Sequence, residues 1–166
     1  MLRTKDGQLN AVFACFGSAA QHAQLFEAEL KRFLLAYNEI AKTHTAGVVE
    51  NVERKAGKRT MGALLVEMRK HVRFGDDEID AKIALALDRR NFLIHRFFLE
   101  RAKKFESGKG RMELLAELVG IETDLETVRG WIGGLRVAMT ESVAKNRKQS
   151  EPDDFVVFTA EIELPE

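Results

Sequence analysis

The stretch Leu87-Asp-Arg-Arg-Asn-Phe-Leu-Ile-His-Arg-Phe-Phe-Leu99 combines the pattern of a long helix with side chains suited to chemistry. One face of that helix is predicted from alternating spacings of four and three residues, at Ile79, Ile83, Ala86, Arg90, Leu93 and Phe97. Arg90 is a cation in this apolar stripe, so it needs an acidic partner, a cleft or an anion. His95 supplies an imidazole, the type of side chain best suited to proton transfer near neutral pH. A guanidinium for phosphate and an imidazole for protons, in a helical chain, indicate RNA cleavage.

The same spacing extends over most of the chain. A first helix is predicted over about 8–42, and a short helix capped by Thr60 extends to about Val72. A third helix begins at residues 75–78 and extends to about Glu106, where Ser107-Gly108 is expected to stop it. The fourth spans about 111–147, with Gly130, Gly133 and Gly134 as a packing feature. We therefore predict an all-α fold, an antiparallel bundle of four main helices within residues 1–150.

The C-terminal tail, residues 151–166, differs in kind. It holds six acidic residues and no basic one, whereas residues 1–150 hold 26 basic and 20 acidic residues, a net charge of +6. Apolar residues alternate with others from Val156 to Leu164, which predicts a strand that must pair or remain disordered. The basic body is compatible with a polyanionic partner. A single cysteine, Cys15, and no apolar stretch of membrane-spanning length favour a cytoplasmic protein without a membrane partner.

The segment Arg90-Asn91-Phe-Leu-Ile-His95 resembles the Arg-polar-x-x-x-His motif of the HEPN superfamily (higher eukaryotes and prokaryotes nucleotide-binding domains). The motif covers six residues, and the pattern of long helices extends the similarity loosely over 8–147. The resemblance implies a metal-independent endoribonuclease of toxin or phage-defence type that needs no cofactor. It also implies a homodimer whose motif helices meet, and it allows an antitoxin or another protein partner. Phe97 stands where some toxins carry a modified tyrosine, so a nucleotidyltransferase partner is not implied.

The resemblance gives each residue a role. His95 acts as the base on the ribose 2′-hydroxyl or as the acid on the leaving 5′-oxygen, and Arg90 holds the phosphate. Asn91 orients His95 or hydrogen-bonds the phosphate, and Asp88 fixes the imidazole tautomer. Five residues along a helix correspond to a rotation of roughly 140°, so Arg90 and His95 of one copy diverge. Two facing copies would bring both types of side chain to one phosphate.

Other residues carry weaker signals. A basic stretch, Arg54, Lys55, Lys58 and Arg59, is a candidate contact for RNA backbone, although such loops are more often only solvated. His22, His44, His71 and Cys15 have no ligand spacing, so no metal site is expected. Phe92, Phe97 and Phe98 suit a core better than a surface for stacking bases. Two other classes stay open, namely a non-catalytic HEPN-like protein that binds a nucleotide or a protein, and a metal-dependent enzyme.

Overall fold

A computed structural model of the chain describes residues 4–42, 60–71 and 77–146. Its helices are α1 (Lys5–Lys42), α2 (Met61–His71), α3 (Asp77–His95), α4 (Phe97–Glu100) and α5 (Gly108–Asn146), with a 3₁₀ helix at Ala102–Glu106. No strand occurs among the described residues, and the prediction of an all-α fold with four main helices is confirmed. The strand predicted in the tail and the basic stretch at 54–59 lie outside the described residues.

Threonine side chains cap the first two helices. Thr4 Oγ1 accepts a hydrogen bond from the Gly7 amide at 3.1 Å, and Thr60 Oγ1 accepts one from the Ala63 amide at 3.3 Å. These bonds satisfy amides that have no partner within the helix. The predicted cap at Thr60 is therefore confirmed.

Contacts divide the described chain into two units. In unit 1, residues 4–26 and 81–128, α1, α3 and α5 each bury an apolar face. The buried residues of this unit are Val12, Ala19, Ala23, Phe26, Ile83, Ala86, Leu93, Phe97, Leu114, Leu118, Ile121, Leu125 and Val128. Burial of these side chains supplies the main driving force for packing the helices.

Unit 2 comprises the described residues among 27–80 and from 129 onward. Its core is formed by Leu30, Phe33, Leu34, Met61, Leu64, Leu65, Met68, Ile79, Ile132, Leu135 and Met139. Within it, Glu29 is buried and accepts hydrogen bonds from Arg136 Nε at 2.7 Å and from Arg32 Nη1 at 3.2 Å. Gly133 lies over this carboxylate, since a Cβ there would be 3.6 Å from Glu29 Oε1. That distance is an ordinary van der Waals separation, and nothing lies within 4 Å of the Cβ positions of Gly130 and Gly134, so the close approach predicted at these glycines is not observed.

The direction of the helices in unit 1 follows from the pairs that join them. Arg111 bonds to Gln8 and Glu122 bonds to Ser18, so residue numbers in α1 and α5 rise together and the two helices run parallel. By contrast, Arg89 pairs with Asp124 and Arg101 pairs with Glu117. The chain through α3 and α4 therefore runs opposite to α5.

The predicted extent of the third helix is wrong, because α3 ends at His95 instead of continuing to Glu106. Arg96 leaves the helical conformation, with φ −130° and ψ −17°, and a new short helix begins at Phe97. After the break, the rings of Phe97 and Phe98 both contact Phe16, with centroids 5.5 Å and 4.5 Å away. Aromatic packing of this kind stabilises the interrupted helix against the loss of regular geometry.

The structural role of Ser107 and Gly108 also differs from the prediction. Ser107 Oγ accepts a hydrogen bond from the Gly110 amide at 3.0 Å, so Ser107 caps the start of α5. Helix α5 accordingly begins at Gly108, three residues earlier than predicted. The pair thus begins the last helix and does not terminate the third one.

The corner between the 3₁₀ helix and α5 depends on Gly110. A Cβ at this position would lie 2.2 Å from the backbone oxygen of Lys104, which is closer than any real contact. The neighbouring Arg111 is buried, and it donates from Nη1 to the Phe105 carbonyl at 2.7 Å and from Nε to Gln8 Oε1 at 2.8 Å. Backbone contact and a bonded guanidinium together hold the chain reversal.

We expect Gly110→Ala to lower the free energy of unfolding by about 2–3 kcal/mol, because the added methyl group forces two backbone segments apart. The matched control is Gly134→Ala, since Gly134 is exposed in the same helix and nothing lies within 4 Å of its Cβ position. That control should gain about 0.5–1 kcal/mol from helix propensity. Urea unfolding monitored by circular dichroism measures both values, and equal stability of the two variants would contradict the expectation.

Candidate functional site

The structure places Arg90 in the apolar stripe of α3, as its spacing predicts. Its neighbours in the stripe, Ile83, Ala86 and Leu93, are buried, whereas Arg90 is half-buried. Arg90 Nη1 donates a hydrogen bond to Asn91 Oδ1 at 3.1 Å, and Asn91 is not the sole partner of this guanidinium. The cation is thus held at the margin of the core by polar contacts.

His95 and Asp88 are exposed on a different face of α3 from Arg90. His95 is the last residue of the helix. Seven residues separate it from Asp88, which corresponds to about 10 Å along the helix axis. The two side chains therefore lie about two turns apart within one chain, too far for Asp88 to hold the imidazole of its own His95.

The remaining candidates are the basic stretch, the possible metal ligands and the aromatic residues. Arg54, Lys55, Lys58 and Arg59 lie outside the described residues, as do the side chains of His44 and His71. Within the described part of the chain, no three His, Cys, Asp or Glu side chains come together as metal ligands. Phe97 is buried and Phe98 contacts the same aromatic cluster, so both act in packing.

A groove between α3 and α5 is not evident from the sequence. It has a volume of about 570 Å³ and is lined in part by Asp88, Arg89, Phe92 and Arg96 of α3 and the turn after it, and by Gly120 of α5. Over the Phe92 ring lie two guanidinium groups, with Arg101 Cζ 4.7 Å and Arg96 Cζ 5.7 Å from the centroid. The spacing of Phe92 and Arg96 is visible in the sequence, but Arg101 reaches the ring only because the helix breaks at Arg96.

One wall of this groove is fixed by an ion pair. Arg101 donates from Nη2 to Glu117 Oε1 at 2.7 Å and from Nε to Oε2 at 2.9 Å, a bidentate arrangement of the strong type. These hydrogen bonds lower the pKa of Glu117, while partial burial acts in the opposite direction. The pair therefore stabilises the folded protein as long as Glu117 is ionised.

Unit 1 also contains a second polar cluster. Glu122 Oε1 accepts a hydrogen bond from Ser18 Oγ at 3.0 Å and lies 3.3 Å from His22 Nε2. In a nucleophilic triad the imidazole lies between the hydroxyl and the carboxylate, whereas here the carboxylate lies between the other two. Ser18 is therefore not activated by His22, and the cluster links α1 to α5.

Comparisons with known proteins give no match to a family model, to a curated protein or to a solved structure. Among the described residues, none of the helices combines the length and apolar character needed to cross a membrane.

We expect the loss of stability caused by Glu117→Gln to be largest near pH 6–7. Because the folded-state pKa of Glu117 is lowered, its contribution is complete above the unfolded pKa of about 4.3 and disappears as pH falls through the folded pKa. The stability difference between the two proteins should therefore shrink on acidification. Urea unfolding at a series of pH values measures it.

A matched control for this prediction is Glu113→Gln, one turn earlier on the same helix. Glu113 is exposed and pairs with Lys104 at 3.2 Å, a type of surface contact that contributes little. Its stability difference from the wild type should stay small at every pH. A pH-independent difference for Glu117→Gln would contradict the assignment.

Proposed function

We propose that this protein is a HEPN-like, metal-independent endoribonuclease that cleaves RNA at a site shared by two copies of the chain. The observation that carries the proposal is the position of His95, an exposed imidazole at the end of the helix that also holds the Arg90–Asn91 pair. An exposed histidine exchanges protons with a bound substrate, and a guanidinium binds the phosphate. The chemistry of these side chains and the resemblance of the motif to that of the HEPN superfamily both support RNA cleavage.

The reaction balances with these groups alone. His95 removes the proton from the ribose 2′-hydroxyl, whose oxygen attacks the adjacent phosphorus. As the bond to the 5′-oxygen breaks, that oxygen takes the proton from the protonated imidazole, which restores neutral His95. Arg90 stabilises the negative charge that develops on the phosphoryl oxygens. The products are a 2′,3′-cyclic phosphate and a free 5′-hydroxyl. DNA is not cleaved because it lacks the attacking hydroxyl.

The proposal requires a dimer because Arg90 and His95 point to different sides of α3. Arg90 lies in the buried stripe and keeps other partners, so a phosphate must share or displace these contacts. A second copy facing the first supplies the complementary group from its own helix. Two-fold pairing of one surface with itself is the commonest form of such assembly.

We expect His95→Ala and Arg90→Ala each to reduce cleavage of a fluorescent RNA by at least about a hundredfold, the usual scale of general acid–base and charge-stabilising effects. His95→Ala should retain the wild-type unfolding midpoint, since the side chain is exposed. Arg69→Ala, an exposed arginine paired with Asp80 at 3.1 Å, serves as the control and should cleave normally. Full activity of His95→Ala, or activity that requires added Mg²⁺ or Mn²⁺, would overturn the proposal.

The shared site is tested by mixing the two inactive variants. In a random mixture about half of the dimers carry one Arg90 and one His95, and these mixed dimers should recover a measurable part of the activity. Sedimentation of the wild type at micromolar concentration should show a dimer. A monomer with or without RNA, or a mixture that stays inactive, excludes the composite site.

A second candidate function is non-catalytic binding of a protein partner, such as an antitoxin. The observation that favours it is an apolar surface on unit 1, where Phe13, Phe98 and Leu99 are 52%, 42% and 82% exposed. The rings of Phe13 and Phe98 are 6.2 Å apart, so at least these two form one patch. Contiguous exposed apolar residues often mark interaction surfaces. Absence of RNA cleavage by the pure wild-type protein would favour this function.

A further inference from the structure

The groove between α3 and α5 has the composition of a site for a flat, polar and uncharged group. Its charged walls are Asp88, Glu117, Arg89 and Arg96, two anions and two cations that cancel. Each cation also has an acidic neighbour, since Arg89 pairs with Asp124 at 2.7 Å and Arg96 with Glu100 at 3.4 Å. A phosphate would find no net positive field there. The groove therefore suits a neutral ligand that both donates and accepts hydrogen bonds.

We propose that this groove binds a nucleobase of the RNA next to the scissile phosphate, and that guanine is the preferred base. The inference rests on the proposed function and specifies where that enzyme reads its substrate. Phe92 and His95 lie one turn apart on α3, which is about 5 Å along the helix axis. A base in the groove is consequently within the reach of one nucleotide from the imidazole.

Stacking supplies the first part of the recognition. The Arg96 guanidinium lies over one side of the Phe92 ring, and 57% of the Arg96 side chain is exposed. Its outer surface is open for a base, so the base, the guanidinium and the ring form successive layers. Bases in single-stranded RNA commonly stack on arginine planes and aromatic rings in this way.

Asp88 determines which base the groove prefers. It is exposed at the edge of the groove and takes part in none of the ion pairs found among the described residues. A carboxylate accepts two parallel hydrogen bonds from the N1–H and N2–H groups of guanine. Adenine presents an acceptor at N1, which repels the carboxylate, and only one donor beside it. The preference for guanine over adenine thus follows from charge and geometry, and a bidentate contact gives about tenfold discrimination or more.

Gly120 leaves room for the base on the opposite wall. A Cβ at Gly120 would be 3.5 Å from Arg89 Nη1, so a larger side chain must enter the groove or displace Arg89. Gly120→Leu therefore blocks the site from α5 without touching the motif. Gly134→Leu makes the same change at an exposed glycine of the same helix, with nothing within 4 Å, and is the matched control.

The test is protein-detected nuclear magnetic resonance of the full chain titrated with guanosine 5′-monophosphate, adenosine 5′-monophosphate or inorganic phosphate. We expect the guanine nucleotide to shift the amide signals of Phe92, Ala116 and Gly120, with at least tenfold weaker binding of the adenine nucleotide. Gly120→Leu should abolish these shifts and Gly134→Leu should preserve them. Asp88→Asn should remove the preference between the two purines.

Three results would overturn the inference: shifts produced equally by inorganic phosphate, wild-type binding by Gly120→Leu, or equal binding of both purine nucleotides. The RNA-cleavage assay separates this outcome from failure of the proposed function. If the wild type cleaves RNA and the Asp88→Asn and Gly120→Leu variants keep its base preference, the groove is not the base-binding site, but the proposed ribonuclease activity stands. If the wild type binds the guanine nucleotide in the groove but does not cleave RNA, the proposed ribonuclease activity is wrong, but the groove remains a nucleotide-binding site.

Discussion

The contact of Gly110 with the backbone of Lys104 is the constraint on which the described unit 1 depends most directly. Only hydrogen fits where a Cβ would come within 2.2 Å of a carbonyl oxygen. This contact reverses the chain after the 3₁₀ helix, and Arg111 fastens the reversal to Phe105 and to α1. The reversal sets α5 antiparallel to the preceding chain and brings Glu117 to Arg101 and Asp124 to Arg89. Both walls of the groove therefore rest on this corner.

The break of α3 at Arg96 has an equally local cause with wider consequences. Phe97 and Phe98 follow the break in the same short helix, and both rings pack against Phe16. The same break ends the helix at His95, leaves that imidazole at an exposed terminus, and carries Arg101 back over the Phe92 ring. Packing of aromatic side chains thus shapes the surface on which the proposed chemistry would take place.

The two proposals assign different tasks to the two faces of α3. Arg90, in the apolar stripe, has polar contacts that place it at the margin of the core, where a charge is only partly hydrated. Asp88, Phe92 and His95 share the other side, where solvent and ligand have access. In the proposed mechanism, Arg90 and His95 therefore lie on different sides of α3 within one chain. That divergence is the physical reason why the proposed site needs a second copy.

The sequence by itself determined the helices and their buried faces. Eight apolar residues spaced three or four apart along the last helix are all buried, because that spacing places them on one face: Leu114, Leu118, Ile121, Leu125, Val128, Ile132, Leu135 and Met139. The same spacing in α3 identified Arg90 as a cation within an apolar stripe. Only the tertiary structure decided that α1 and α5 run parallel, that α3 stops at His95, and that Arg101 lies over the Phe92 ring. Periodicity records which face of a helix is buried, but direction, breaks and contacts between distant residues depend on how aromatic rings and ion pairs pack once the helices meet.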